Sequence, residues 1–312
     1  MSNDPFADVL RVTEAESIVS GGIAAGGTWS FHFPPPGQIV FSAILAGGCW
    51  LRLDGQRGAV WLEQGDVGLL PGRDGFVLCS DLRARPTKIE LTDRWGEIET
   101  IGDGRGCKWL AGRVALHPSS GALLTQALPP VVHLRAGATG AATLRWIVEE
   151  LVEEHMSTRP GSSLASAQLA QLFLIKILRA HLTSPGTMPP GWLRAIGDER
   201  IAPALRLIHD DPARAHDLDA LARAARMSRT RFAVRFKAVA GVAPLTYLTA
   251  WRMHLAQRAL RDEDVSIVAL AESLGYASDS SFSNAFKREI GVAPRSYRAA
   301  ARGKPDPAPR RG

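Results

Sequence analysis

Asn284 shares a helical phase with Ser280, Ser283 and Lys287, so amide, hydroxyl and ammonium groups would emerge on one face of a short helix. Phe282 and Phe286, at i and i+4, mark the opposite, buried stripe. Such an outward face can do hydrogen-bond chemistry on base edges: Asn pairs bidentately with adenine, and Ser bonds several bases. Ser281 and Arg288 sit beside it. Upstream, Phe232 and Phe236 set the same phase for Thr230, Ala233, Val234 and Lys237, flanked by Arg229, Arg231 and Arg235. Ala and Val side chains can meet a thymine methyl. Arg229, Arg231, Arg235, Lys287 and Arg288 suit phosphates, which set affinity and register but carry no sequence information. Any one of these residues is equally compatible with plain solvated surface. The signal lies in the two faces taken whole.

The elements that must position these faces form an internal repeat. Ser228–Leu248 aligns without gaps on Ser278–Arg298, with 9 of 21 positions identical, including both Phe pairs, Lys237/Lys287, Tyr247/Tyr297 and the GVAP runs at Gly241 and Gly291. In each copy an amphipathic stretch (Leu218, Leu221, Ala222; Ile267, Leu270, Ala271) leads through a short turn to a Ser placed as a helix N-cap, its hydroxyl expected to accept an orphan backbone N–H. Gly241 and Gly291 are expected to end the second helix in the left-handed region, and Pro244 and Pro294 to begin the next. Two helices joined tightly, the second polar on its outer face, make a helix-turn-helix. Leu245–Leu260 between the copies predicts one helix, about 24 Å long at 1.5 Å per residue. Two reading helices held by it could enter successive major grooves, roughly 34 Å apart, on one face of DNA.

Charge agrees with that placement. Of 37 Lys+Arg and 31 Asp+Glu in 312 residues, residues 201–312 hold 19 and 11, a net +8, whereas residues 1–200 hold 18 and 20, a net −2. A basic last third suits a polyanion. With 46% hydrophobic and 22% charged residues the composition is that of a globular chain long enough for two cores. The longest apolar runs, such as Ile39–Ala46, are strand-sized, and the N-terminus has no leader pattern, so neither a membrane span nor a signal peptide is expected. Cys49, Cys79 and Cys107 form no CxxC and read as reduced, small apolar side chains, which fits the cytoplasm.

The first part of the chain has a different rhythm. Short runs at Thr28–Phe33, Ile39–Ala46, Cys49–Leu53, Val60–Leu62, Val67–Leu70, Phe76–Cys79 and Lys88–Leu91 are separated by turns, among them Gly47-Gly48 and Pro71–Gly75, and predict an antiparallel barrel or sandwich. From Thr139 the spacing becomes helical, in two stretches split by Arg159–Ser163, with Leu144, Ile147, Leu151, Leu172 and Ile175 as apolar stripes that pack on a twin chain or on the barrel. Trp29, Phe31, Trp50, Trp61 and Phe76, with His32, either line an effector pocket or belong to the core. No His pair with a third His and a Glu stands where barrel metal ligands would be, and there is no G-x-S-x-G, P-loop or G-x-G-x-x-G. The Gly102–Gly106 turn (GDGRG) is only a weak phosphate signal, since no apolar helix follows it. No metal, cofactor or catalytic residue is therefore expected.

Residues 201–300 resemble the DNA-binding domain of the AraC/XylS family of bacterial transcription regulators. The resemblance rests on Leu221–Ser228 (LARAARMS), Trp251–Ala256 (WRMHLA) and, most specifically, Ile267–Arg298 (IVALAESLGYASDSSFSNAFKREIGVAPRSYR). Val234 stands where family members often carry Arg, which implies weaker or more thymine-directed reading by the first helix. Less closely, Asp4–Leu10 (DPFADVL), Trp29, Gly47–Gly55, Leu62–Gly72 and Leu128–Arg135 resemble the cupin-type sensor of one branch of that family. The resemblance implies an α+β multidomain chain: a cupin-like antiparallel β-barrel sensor at 1–135, a helical dimerisation segment at 136–183, a linker at 184–200, an all-α double helix-turn-helix domain at 201–300 and a disordered tail at 301–312. It further implies a homodimer that binds a double-stranded DNA operator, answers to a small-molecule effector and works with RNA polymerase, with no membrane partner. The competing reading is a metal-dependent cupin enzyme with an attached DNA-binding tail.

Overall fold

The computed structural model describes residues 4–89, 98–118, 120–138, 140–183 and 188–302. The disordered tail expected at 301–312 lies, from residue 303 on, outside the described residues, as do residues 184–187 of the expected linker. The described residues divide into two compact units, those within 14–189 and those of 4–13 with 190–302.

The chain opens with helix α1 (Pro5–Val12), begun by Pro5 and capped by Asp4, whose Oδ1 accepts from the N–H groups of Phe6 (3.0 Å) and Ala7 (3.3 Å). Its apolar side chains, Phe6, Val9, Leu10 and Val12, are buried. The sequence placed this stretch with the sensor; in the fold it groups with the C-terminal helices.

The unit of residues 14–189 is a curled sheet of β1 (Glu16–Ala25), β2 (Ser30–Phe33), β3 (Ile39–Leu53), β4 (Ala59–Glu63), β5 (Val67–Leu70), β6 (Phe76–Cys79), β7 (Thr87–Lys88), β8 (Ile98–Ile101), β9 (Cys107–Ala115) and β10 (Val132–Leu134). The main path runs β7-β2-β6-β3-β9-β1-β8, with β4 and β5 also on β3 and β10 on β5. Pairing is antiparallel except for β1 with β8 and β2 with β7. Helix α2 (Ala122–Ala127) precedes β10, and α3 (Ala141–His155) and α4 (Ser162–Thr183) close the unit. Lys88–Leu91 was expected as a strand; Lys88 ends β7, and residues 90–91 lie outside the described residues.

Gly47-Gly48, expected as a turn, lies inside one strand. The first part of β3 pairs with β5 and β9, the last part with β4 and β6, with an irregularity between Ile44 and Ala46. Gly47 has φ +65°, and a Cβ on it would collide with the carbonyl of Gly106, so the glycines let a continuous strand bend across neighbours instead of reversing it. Ile23, Trp29, Phe31, Phe33, Cys49, Leu51, Phe76 and Trp109 form the core. Helix α4 packs on this sheet through Phe173, edge-on to Phe41 at 5.5 Å. The GDGRG turn simply joins β8 to β9.

The other unit adds α5 (Trp192–Gly197), α6 (Ala202–Asp210), α7 (Leu218–Ala224), α8 (Arg229–Ala240), α9 (Pro244–Asp262), α10 (Ile267–Ser273), α11 (Asp279–Ile290) and α12 (Pro294–Ala301). Helix α5 occupies part of the expected linker, its Trp192, Leu193 and Ala195 buried. Helices α7 and α8, and again α10 and α11, are the two helix-turn-helix units. Helix α9, expected as Leu245–Leu260, runs 19 residues between them, about 28 Å at 1.5 Å per residue. Among the described residues no helix is long and apolar enough to cross a membrane.

Candidate nucleic-acid interface

Helices α8 and α11 are held by the same aromatic ladder. Phe232, Phe236, Phe282 and Phe286 are fully buried. Phe232 meets Phe236 at 5.5 Å and Phe236 meets Tyr247 edge-on at 5.8 Å and 75°. Fifty positions on, Phe282 meets Phe286 at 5.8 Å, and Phe286 meets Tyr297 at 5.5 Å and 74°. Identical phasing turns equivalent side chains of α8 and α11 outward. Gly241 (φ +81°) and Gly291 (φ +90°) end the helices in the left-handed region, and Pro244 and Pro294 begin α9 and α12.

The N-caps differ between copies. Ser278 accepts from the N–H of Ser281 at 3.1 Å, while the Ser281 hydroxyl reaches back to the Ser278 backbone, completing a reciprocal box. Ser228 has the extended backbone of a cap but makes no side-chain cap bond, contrary to the expectation. Arg231 stands at the position of Ser281 and has no hydroxyl to return the bond.

On α8, Arg229, Thr230, Arg231, Val234 and Lys237 are exposed and Ala233 is half-buried. Val234 is 66% exposed, which leaves its methyl groups open to contact. On α11, Ser280, Ser281, Asn284, Lys287 and Arg288 are exposed and Ser283 is half-buried.

Several of these side chains are already engaged. Ser281 is tied to the cap, its hydroxyl also donating to the Ser278 carbonyl at 2.8 Å. Arg235 grips Asp198 with Nη2 to Oδ2 at 2.6 Å and Nε to Oδ1 at 3.3 Å. Arg229 lies 3.6 Å from Asp219, and Arg288 lies 3.1 Å from its neighbour Glu289, both at the surface, where such pairs are weak. The residues missed by sequence are Asp198 and Arg194: they form one wall of an open cleft of about 670 Å³ whose other wall includes Thr230, Arg231 and Val234. Helical spacing had no means of showing this, because α5 packs across the chain onto α8.

Of the six residues expected at an effector pocket, Trp29, Phe31 and Phe76 lie in the core cluster of the sheet. Trp29 and Phe31 stack at 5.1 Å, Trp29 on Trp109 at 5.2 Å, and Phe76 on Phe33 at 4.8 Å, all within the core. A small cavity of about 20 Å³ lies beside Phe76, lined also by Phe33, Leu51 and Trp109. Trp50 and Trp61 face each other across β3 and β4 at 5.1 Å, with Trp61 42% exposed. His32 is half-buried, with Nε2 2.9 Å from Asp54 Oδ2. A larger groove, about 430 Å³, lies between the β4–β5 turn and α3, lined by Ile44, Leu45, Gln64, Arg145, Val148 and Glu149 among others. Among the described residues no group of three or more His, Cys, Asp or Glu could hold a metal ion.

Residues 4–183 match the family model described as Cupin, and residues 221–300 match one described as Helix-turn-helix domain. The chain is 37% identical over 297 residues to a putative AraC-like transcription regulator of Streptomyces antibioticus, covering 95% of this chain and 98% of that one. It is 36% identical to a second putative AraC-like transcription regulator, from Streptomyces lividans, with coverage of 95% and 98%. A third relative, the HTH-type transcriptional regulator AlkR of Acinetobacter baylyi, is 26% identical over 93% of this chain and 96% of its own length.

Proposed function

This chain belongs to the AraC-like transcription regulators, with a cupin domain ahead of its DNA-binding helices, and on that premise we propose that α8 and α11 each read one box of a two-box operator. It is a DNA-binding regulator and not a cupin enzyme. The observation that carries the two-box reading is the shared phase of the two helices against their Phe–Phe–Tyr ladders. Asn284, with Ser280 and Ser283, reads the box under α11; Val234, with Thr230 and Ala233, reads the box under α8, Val234 by methyl contact. Arg229, Arg231, Lys237, Lys287 and Arg288 hold phosphates. Selection of the full-length protein against a random duplex pool at near-physiological salt tests the reading. Two enriched boxes about one helical turn apart are expected; binding that fades uniformly with salt and enriches nothing would overturn it.

The cupin unit supplies sensing and self-association. A small-molecule effector fits the groove beside α3, about 430 Å³, better than the cavity of about 20 Å³ beside Phe76. Bound there, it shifts a pre-existing equilibrium in how the DNA-binding helices are presented. Operator and effector must then change each other's affinity by the same factor, and an effector affinity indifferent to operator would overturn the coupling. Leu144, Ile147 and Leu151 are buried within their own unit, so the surface offered for a homodimer is the exposed set Trp146, Leu164 and Leu172. The working setting is the cytoplasm, with RNA polymerase as the downstream partner.

A further inference from the structure

Arg235 and Asp198 are the best-formed charge pair beside the reading helices. Asp198 is only 12% exposed on its side chain, and two fixed donors orient it: its Oδ1 accepts from the N–H groups of Arg200 and Ile201, both at 3.1 Å. That leaves Oδ2 aimed at the guanidinium, which closes a two-bond fork of the kind Arg makes with a carboxylate. The other end of α5 is also tied to α8, since the N–H of Gly191 donates to the Val239 carbonyl at 3.0 Å. Helix α5 is thus fastened at both ends along the first reading helix, and the short α5 body between them is buried through Leu193 and Ala195. In the second reading helix the position equivalent to Arg235 is Ala285, which is buried and has no side chain for such a fork.

We propose that Asp198 and Arg235 form a latch that sets the aim of α8 alone, with Arg235 acting as a positioning residue and not as a phosphate contact. The latch joins the first reading helix to the segment that arrives from residue 190, so reading by α8 depends on how that segment is seated, while reading by α11 does not. The inference rests on the two-box reading above. It also removes Arg235 from the phosphate-binding set that its charge and phase suggested.

The test is a double-mutant cycle on the full chain, Asp198→Asn, Arg235→Gln and both together, assayed on the sequence enriched by the parent protein. Asn keeps an oxygen for the Arg200 and Ile201 N–H groups, removes the charge and turns an NH2 donor, in place of the Oδ2 acceptor, toward the guanidinium. Each single variant is expected to lose about tenfold in affinity, and the double variant no more than either, because coupled partners are not additive. The loss is confined to the box whose preference changes in Val234→Ala, and the salt slope stays that of the parent. Arg235→Lys, which retains charge for Asp198, serves as the folding control and is expected to recover part of the reading. Equal weakening on every sequence with a salt slope shallower by about one unit would make Arg235 a phosphate contact and overturn the latch. Unchanged affinity, or losses that multiply, would overturn it as well. Failure of the parent protein to enrich any motif would instead defeat the two-box reading, and the latch with it.

Discussion

Nδ1 of His209 in α6 lies 3.5 Å from Oδ2 of Asp8 in α1, and both side chains are buried. The other nitrogen of the imidazole is 2.9 Å from the Tyr247 hydroxyl, and the ring stacks on Trp251 at 4.1 Å. The first helix of the chain is therefore a structural member of the DNA-binding unit. Asp8→Ala is expected to destabilise that unit by about 1–3 kcal/mol, because it removes the acceptor that faces the buried His209 Nδ1. Urea unfolding followed by tryptophan fluorescence measures this; a change within about 0.5 kcal/mol, as at an ordinary surface site, would show that α1 is dispensable.

Asn284→Ala should cost about 1–3 kcal/mol on the enriched operator and relax preference at one base pair. Titration of single-base operator variants checks it. Unchanged preference would mean that α11 presents a different face to the groove.

Arg288→Ala should weaken all sequences alike and make the salt slope shallower by about one unit, in contrast to Asn284→Ala. Binding isotherms at several salt concentrations separate the two. A base-specific loss for Arg288→Ala would reverse their roles.

Stability should fall on the acid side of neutrality. Burial pushes the His254 imidazole down to about 4 from its ordinary 6.5, and burial moves His209 in the same direction. A folded-state value below the unfolded one means that the unfolded chain takes up protons the folded chain refuses. The stability these histidines contribute is complete above about pH 6.5 and is lost as pH falls toward 4. Thermal unfolding across that range should show a falling midpoint, and His254→Gln should flatten it. A parent profile already flat would contradict the burial argument.

What the sequence made legible was local and periodic. The offset between Phe232/Phe236 and Phe282/Phe286, the left-handed Gly241 and Gly291 and the Pro starts of α9 and α12 follow from short-range rules, and so does the outward set around Asn284. Features set by distant contacts were not legible. Strand β1 (ESIVSGGIAA) lacks clean alternation because its last residues are all buried, and a bulge between Val19 and Gly21 shifts its pairing with β9. The placement of α1 depends on His209, and the commitment of Arg235 depends on Asp198, neither of which any local pattern reveals. The aromatic set at Trp29, Phe31 and Phe76 has the composition of a pocket wall or of a core, and only packing could show that Trp29 stacks on Phe31 and Phe76 on Phe33.

The most direct test of the central claim is a hydroxyl-radical footprint of the full-length protein on its enriched operator, repeated with Asn284→Ala and with Val234→Asp. Two helices that each read a box predict two protected patches on one face of the duplex, centred about 34 Å apart. Each variant should then lose one patch and keep the other. A single continuous footprint, or variants that weaken both patches equally, would contradict the account.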